Sequence, residues 1–280
     1  MIRGIYTSSA GMLCETIRQE IIANNLANVD TVGFKTDVAI FKELPTMELR
    51  RMNDTPIFPP HPFKKAPLIG QIGTGSVLDE TYTNFEAGRM QYTGNKLDVA
   101  IEDPNAFFLV ESENGSIKYS RDGVFTLNEE GFLTNMSGDY LLSYGDAPNL
   151  EGNTVLINED GSRAMRFERI QLGGHNVSVD ASGRVLLDNQ EQAQLVTGIA
   201  ADRKAFRKEG SNKFIRAYGE VTASQTGFNP GYVEKPNVSV VDQMVKMVEV
   251  SRAYEANSKS VQSHDTLLDK AINTVGASRR

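Results

Sequence analysis

The sequence predicts an α+β protein: a discontinuous helical coiled-coil domain built from the two chain ends, with an antiparallel β-rich outer domain inserted between them. Three observations carry this. Apolar residues recur at heptad spacing at both ends. The stretch from Ser76 to Val221 is broken by frequent turns, as short antiparallel strands require. Six of the ten prolines crowd into one segment between the first helix and that stretch.

At the N-terminal end, Ala10, Cys14, Ile17, Ile21, Asn24 and Asn28 follow spacings of four, three, four, three and four. Ile5, Leu13, Ile22 and Leu26 widen the apolar face. This pattern predicts a helix from about Ile2 to Ala27, roughly 40 Å long at 1.5 Å per residue, with a stop signal at Asp30-Thr31 and Gly33.

The proline-rich segment runs from Leu44 to Leu68 and also holds Arg50, Arg51, Lys64 and Lys65. It is neither helix nor central strand throughout, because proline removes a backbone donor and fixes φ. An extended insertion made for contact is expected there. Beyond it, Asn114-Gly115 between Phe107–Ser112 and Ser116–Ser120 predicts a two-residue hairpin loop. The units FTLNEEGFL, with Gly131, and VSVDASGRV, with Gly183, read as one hairpin used twice. Ala200 to Phe214 has a mixed pattern that assigns no element.

At the C-terminal end, Val240, Met244, Met247, Ser251, Tyr254, Ser258, Val261, Asp265, Leu268, Ile272 and Val275 keep alternating spacings of four and three across five heptads. Asp242 with Lys246 and Glu255 with Lys259 are acid-before-base pairs four apart. Asn237 or Ser239 can cap the start. Asn24, Asn28, Ser251, Ser258 and Asp265 place polar groups in the seams, weakening pairing while restricting register. Two readings stay open: an ordinary core helix pair, or a pair too weak to stand alone that other copies complete.

Composition removes several function classes. Lys and Arg total 29 against 36 Asp and Glu, a net charge of −7, so bulk phosphate binding is disfavoured and no nucleic-acid partner is expected. A lone cysteine, Cys14, forms no internal disulfide or multi-cysteine metal cluster. No uncharged run has the ~20 apolar residues of a spanning helix. Ile2 to Cys14 lacks the apolar core of a cleaved signal peptide, so export, if any, is expected by a route without one.

The search for chemistry finds no catalytic, cofactor or metal residues, and no cofactor is expected. His61, His175 and His264 lack ligand spacing and read as surface or seam residues. The glycines of GQIGTG (Gly70, Gly73, Gly75) match neither a dinucleotide fingerprint nor a P-loop. Asp98, Glu102 and Asp103 read as an acidic loop tip, and Ser120-Arg121-Asp122-Gly123 as a turn.

Three motifs carry a resemblance. Ala23-Asn24-Asn25-Leu26-Ala27-Asn28-Val29 followed by Thr31 and Gly33-Phe34-Lys35 resembles the N-terminal signature of the flagellar rod and hook proteins. Phe107-Phe108 with Val110, Tyr119, Arg121-Asp122-Gly123, Phe125, Gly131 and Leu133 resembles the β-domain signature of that family. Gly231-Tyr232-Val233-Glu234, Asn237-Val238, Met244-Val245 and Arg252-Ala253-Tyr254-Glu255-Ala256-Asn257 resembles its C-terminal signature. The order and span match nearly the whole chain. Pro104-Asn105-Ala106 departs from a common Gly-x-Gly, and Lys235-Pro236 from a common Ser. The run Phe41 to Asn53 is more similar to the proximal than to the distal rod protein.

The resemblance implies a structural subunit, not an enzyme, of the basal-body rod, polymerising helically through its terminal helices into a hollow torque-transmitting shaft. It implies an inner domain of residues 1–36 and 237–280, a connector of 37–82 and 215–236 with the insertion at 44–68, and an outer β domain of 83–214. Implied partners are further copies of the chain in a helical homo-oligomer, other rod, hook and ring proteins, and the flagellar export apparatus. The candidate subunit-interaction residues are Ile17, Ile21, Asn24, Asn25, Leu26, Asn28, Gly33, Phe34, Met244, Met247, Tyr254, Asn257, Val261 and Leu268. The asparagines at 24, 25 and 28 are expected to fix register through their amides, and the proline-rich insertion to brace neighbouring subunits. Two other classes stand against this. One is a cell-wall polysaccharide-acting enzyme with Glu102 or Asp103 as acid, disfavoured by the absence of Trp. The other is an adhesin whose coiled coil is only a stalk.

Overall fold

Heptad patterning at the ends produces two long helices, and turn-rich patterning between them produces strands. The computed structural model describes residues 2–50, 68–144, 155–157, 165–173, 177–200, 202, 205–224 and 226–277. Most of the proline-rich insertion, residues 51–67, therefore lies outside the described residues, as do His61 and His175. Helix α1 spans Ile2–Ala27, 26 residues, and α2 spans Val240–Ala277, 38 residues. The chain divides into two compact units, one of residues 1–24, 37–82 and 241–280, the other of 25–36 and 83–240. Residues 215–236 thus group with the β-rich body, and 37–82 with the helices.

In the helical unit, α1 and α2 run antiparallel. The Ser8 and Ser260 hydroxyls meet at 3.1 Å. A Cβ on Gly4 would fall 2.4 Å from His264 Nε2, and one on Gly11 3.0 Å from the Asn257 amide. Contact positions 4, 8 and 11 thus face 264, 260 and 257, with steps of four and three on both helices. Small residues on α1 permit this approach. The stripe of α2 that meets α1 is offset from the predicted seam: it carries Asn257, Ser260 and His264, whereas Asp265 is exposed. His264 is a seam residue, as expected.

Strand Asp37–Glu43 pairs with Ser76–Thr83 in a two-stranded sheet. Its residues alternate, with Asp37, Ala39 and Phe41 half-buried and Val38, Ile40 and Lys42 exposed, the period of two that a one-sided strand imposes. Buried Cys14 donates to the Ser76 carbonyl at 3.3 Å, and the Arg18 guanidinium lies 5.0 Å from the Phe41 ring centroid. The two described ends of the insertion pair antiparallel, Met47 opposite Ile72 and Arg50 opposite Leu68.

The β-rich unit is organised by strand Ala106–Glu111. It pairs with Ile117–Ser120, Tyr140–Tyr144 and Thr197–Ala200, and eleven strands join its network among the described residues. It is buried nearly throughout, so its alternating side chains feed two separate cores. Phe107 and Leu109 pack with Phe85, Tyr119, Phe206 and Phe214. Ala106, Phe108 and Val110 pack with Phe125, Leu133, Leu141, Val185 and Phe228.

The repeated hairpin is present. Gly131 N–H donates to Asn128 O and Asn128 N–H to Phe132 O; Gly183 N–H likewise donates to Asp180 O and Asp180 N–H to Arg184 O. Both glycines have positive φ, +81° and +77°. A third copy occurs at Asn135–Asp139 around Gly138, and a fourth at Ser112–Ser116 around Gly115. The hairpin at Asn114-Gly115 has three loop residues instead of the expected two. Ser112 N–H donates to Ser116 O and Gly115 N–H to Ser112 O, a turn that uses Gly115 at φ +75° to restore the strand twist. Phe206–Glu209 and Lys213–Arg216 form a hairpin that begins in the unassigned stretch, Ala200 to Phe214, and ends just beyond it.

Candidate functional site

Lys35, Arg121 and Glu234 come from the three sequence motifs and meet inside the β-rich unit. Their side chains are 1%, 1% and 2% exposed. Lys35 Nζ donates to Glu234 Oε1 at 2.8 Å and to the Glu86 carbonyl at 2.7 Å. Arg121 Nε and a terminal nitrogen both lie 2.7 Å from Glu234 Oε2. The guanidinium also donates to the carbonyls of Asp103 and Ala106. Gly88 N–H completes the carboxylate at 2.7 Å. Burial alone would push the Glu234 carboxyl up; the charges of Arg121 and Lys35, with the hydrogen bonds of Lys35 and Gly88, outweigh it and hold the carboxyl below its ordinary range. Three charges buried together are tolerable here because the carboxylate and its two cations are paired and multiply hydrogen-bonded.

Glycine makes the approach of backbones possible. A Cβ on Gly33 would sit 2.5 Å from the Arg121 carbonyl carbon, and one on Gly123 1.9 Å from Val99 O. Gly33 N–H donates to Glu234 O at 2.9 Å. Phe34 is fully buried, with Lys208 Nζ 3.6 Å from its ring centroid.

These placements correct several readings. Ser120-Arg121-Asp122-Gly123, read as a turn, is a buried one: Ser120, Arg121 and Asp122 are all buried, with the Asp122 N–H donating to Ser120 Oγ and the Val124 N–H to Asp122 Oδ1. Asp98 is no loop tip; it is buried and accepts from the Thr93 hydroxyl at 2.6 Å and the Asn95 amide at 2.9 Å. Asn237 does not cap α2, since its amide is engaged with Thr36, Asn84 and Glu86. Asp242 and Lys246 do pair, at 2.6 Å.

The candidate subunit-interaction residues divide by burial. Gly33, Phe34 and Asn25 are buried within the chain, so they are interior and present no surface. Ile17, Ile21, Leu26 and Asn28 are half-buried, and Asn24 is exposed. Asn28 Oδ1 accepts from the Thr31 hydroxyl at 3.1 Å. Met247, Asn257, Val261 and Leu268 are half-buried, while Met244 and Tyr254 are exposed. Met244 belongs to a stripe with Val241, Val245 and Val248, at steps of three, one and three. These four side chains are 53%, 72%, 52% and 51% exposed. Such a stripe is an apolar helix face left largely exposed among the described residues.

Sequence reasoning missed the ionic joint. The signal was present: Lys35 follows Gly-Phe and Glu234 follows Tyr-Val, each a charge set in an apolar or glycine-rich motif. The described residues hold no cluster of His, Cys, Asp or Glu able to hold a metal ion. No described helix is long and apolar enough to cross a membrane.

Comparison with known proteins gives these motifs a family. Residues 5–35 match the profile described as flagella basal body rod protein, 101–187 the flagellar hook protein FlgE/F/G D1 domain, and 229–274 the flagellar basal body rod FlgEFG protein C-terminal region. The flagellar basal-body rod protein FlgG of Buchnera aphidicola subsp. Schizaphis graminum is 31% identical over 96% of this chain and 98% of its own length. FlgG of Borreliella burgdorferi is 30% identical over 98% of each chain. FlgG of Bacillus subtilis is 29% identical over 98% of this chain and 99% of its own. The chain therefore belongs to the flagellar basal-body rod protein family, a structural protein of motility whose place is the flagellar basal body.

Proposed function

We propose that this rod subunit polymerises helically through its terminal helices into a hollow shaft that transmits torque by packing and does no catalysis. The supporting observation is the exposed stripe Val241, Met244, Val245 and Val248 on α2. Burying such a face against a neighbour is favourable by roughly 25 cal/mol per Å² of apolar surface. On this reading Met244, Tyr254 and Asn24 face neighbouring copies, and Ile17, Ile21, Leu26, Asn28, Met247, Asn257, Val261 and Leu268 pack along a coiled-coil pair within or between copies. Other rod, hook and ring proteins and the export apparatus are the further partners. The inner, connecting and outer divisions of the chain are proposed for the polymer. A proximal position rests on the run Phe41 to Asn53, of which residues 51–53 lie outside the described residues.

The test is the double variant Val245→Asp, Val248→Asp. Both residues are half exposed, so the monomer's circular dichroism is expected to be unchanged while the subunit disappears from isolated basal bodies and motility is lost. Wild-type incorporation of this variant would remove the stripe from the interface.

A further inference from the structure

Thr36, Asn84 and Asn237 each lie within a few residues of one of the four points where the chain passes between the units, at 36/37, 82/83 and 240/241, the fourth being 24/25. One side chain joins all three. Asn237 Oδ1 accepts from the Thr36 N–H at 2.9 Å. Asn237 Nδ2 donates to the Asn84 carbonyl at 2.9 Å, and also reaches the Glu86 carbonyl at 3.3 Å. The Asn84 N–H closes the set by donating to the Thr36 carbonyl at 2.8 Å. A carboxamide suits this task because it accepts with one atom and donates with the other; a carboxylate cannot donate, and an ammonium cannot accept.

The ionic joint stands directly behind. Lys35 precedes Thr36, and its Nζ binds both Glu234 and the Glu86 carbonyl. Lys235 N–H donates to Arg89 O at 2.9 Å, and a Cβ on Gly88 would fall 1.7 Å from Lys235 O. The segments 33–36, 84–89 and 232–237 are therefore cross-linked twice, by ions inside the unit and by the Asn237 amide at its margin.

We propose that Asn237 is a positioning residue, the pin of a clamp formed with Lys35, Arg121 and Glu234 that holds the segments 33–36, 84–89 and 232–237 together at the margin of the β-rich unit. The ion triad anchors the segments and the amide aligns them. Only the consequence in the cell rests on the rod reading: load carried through these segments strains the pin, and a loosened pin lets them twist.

The experiment uses the full chain carrying Asn237→Ala or Asn237→Asp, with hydrogen exchange resolved amide by amide and a urea unfolding curve for each. Asn237→Ala is expected to speed exchange at Thr36 and Asn84 at least tenfold, while the amides of Leu109 and Leu133 and the urea midpoint stay unchanged. Asn237→Asp keeps the acceptor but loses the donor. The Thr36 amide should then stay protected, while the Asn84 amide, beside a carboxylate that repels its carbonyl, exchanges faster. Unchanged Thr36 and Asn84 amides in the alanine variant would overturn the clamp. So would a rise shared equally by Leu109 and Leu133, which marks a general loss of packing. In cells making only Asn237→Ala, the subunit should reach basal bodies at the normal level while swimming in viscous medium slows; normal swimming under load would overturn the clamp's mechanical role. Absence of even the unaltered chain from basal bodies would instead sink the rod reading and leave the solution result standing.

Discussion

Asp122 sits in the β-rich unit with Oδ2 accepting from the Asn212 amide at 3.0 Å and Oδ1 from the Val124 N–H at 3.1 Å. Burial raises its pKa from an ordinary 3.8 to about 6. Those two hydrogen bonds oppose the rise, and the charges of Asp98 and Asp139 add to it. A carboxyl whose folded pKa is raised contributes stability that is full below its unfolded pKa and is lost as pH rises through the folded one. The β-rich unit should therefore lose up to about 3 kcal/mol from this group between roughly pH 4 and pH 6. Glu234 has the opposite sign: its lowered pKa gives stability that is present above its ordinary 4.5 and lost as pH falls through its folded value. Asp122→Asn is expected to flatten the slope between about pH 4 and 6 while leaving the acid-side loss intact, as read by urea midpoints across that range. Tyr119 presents a related case. Its hydroxyl is buried with no hydrogen-bond partner among the described residues, and its ring lies 4.8 Å from that of Phe206. Because burying an unpaired hydroxyl is unfavourable, Tyr119→Phe is expected to be neutral or to stabilise by about 1 kcal/mol in the same urea assay.

Two of the glycine turns separate two costs that usually come together. Gly131 and Gly138 have nearly the same φ, +81° and +82°. A Cβ on Gly131 would lie 2.6 Å from Leu172 O, whereas one on Gly138 would meet nothing within 4 Å. Gly138→Ala should therefore cost only the left-handed backbone penalty, about 1 to 2 kcal/mol. Gly131→Ala should cost clearly more, roughly 3 kcal/mol or beyond, because a neighbouring carbonyl must also shift. Chemical denaturation of the two variants measures the difference, and equal costs would show that the Leu172 contact yields freely. These turns also show why elements were legible. The signals lie within five residues of one another, so local chemistry decides them, and the helix limits followed from a similarly short repeat. The Asn114-Gly115 loop length escaped because one dipeptide serves both two- and three-residue loops. The ionic joint escaped for a different reason: Lys35 and Glu234 are 199 residues apart, and Arg121 and Glu234 are 113 apart. No local period links them. The α1-facing stripe of α2 lies one position from the predicted seam because the residues that meet α1, Asn257, Ser260 and His264, are polar, so apolar periodicity does not mark them.

At the scale of the whole molecule, the two units have unequal means of holding themselves together. The β-rich unit contains both large buried clusters. Along α2, Gln243 and Val250 are the buried residues among those described, and on α1 they are Cys14, Ile22 and Asn25. Segments with little buried apolar surface open at low free-energy cost, and a long helix draws most of its stability from packing, not propensity. The free chain should consequently fail the two-state test, with the helical signal lost at lower urea than the tertiary signal of the β-rich unit. Neighbours that bind only the ordered helices would shift this balance by mass action. Limited proteolysis followed by mass spectrometry checks both halves of the argument. At low protein concentration, cuts are expected within α1 and α2 before any in the strands of the β-rich unit. In isolated basal bodies the same sites should be protected. Helices that resist protease in dilute monomer as well as the β-rich unit does would mean that they are stable before assembly, and the apolar stripe on α2 would then serve recognition alone.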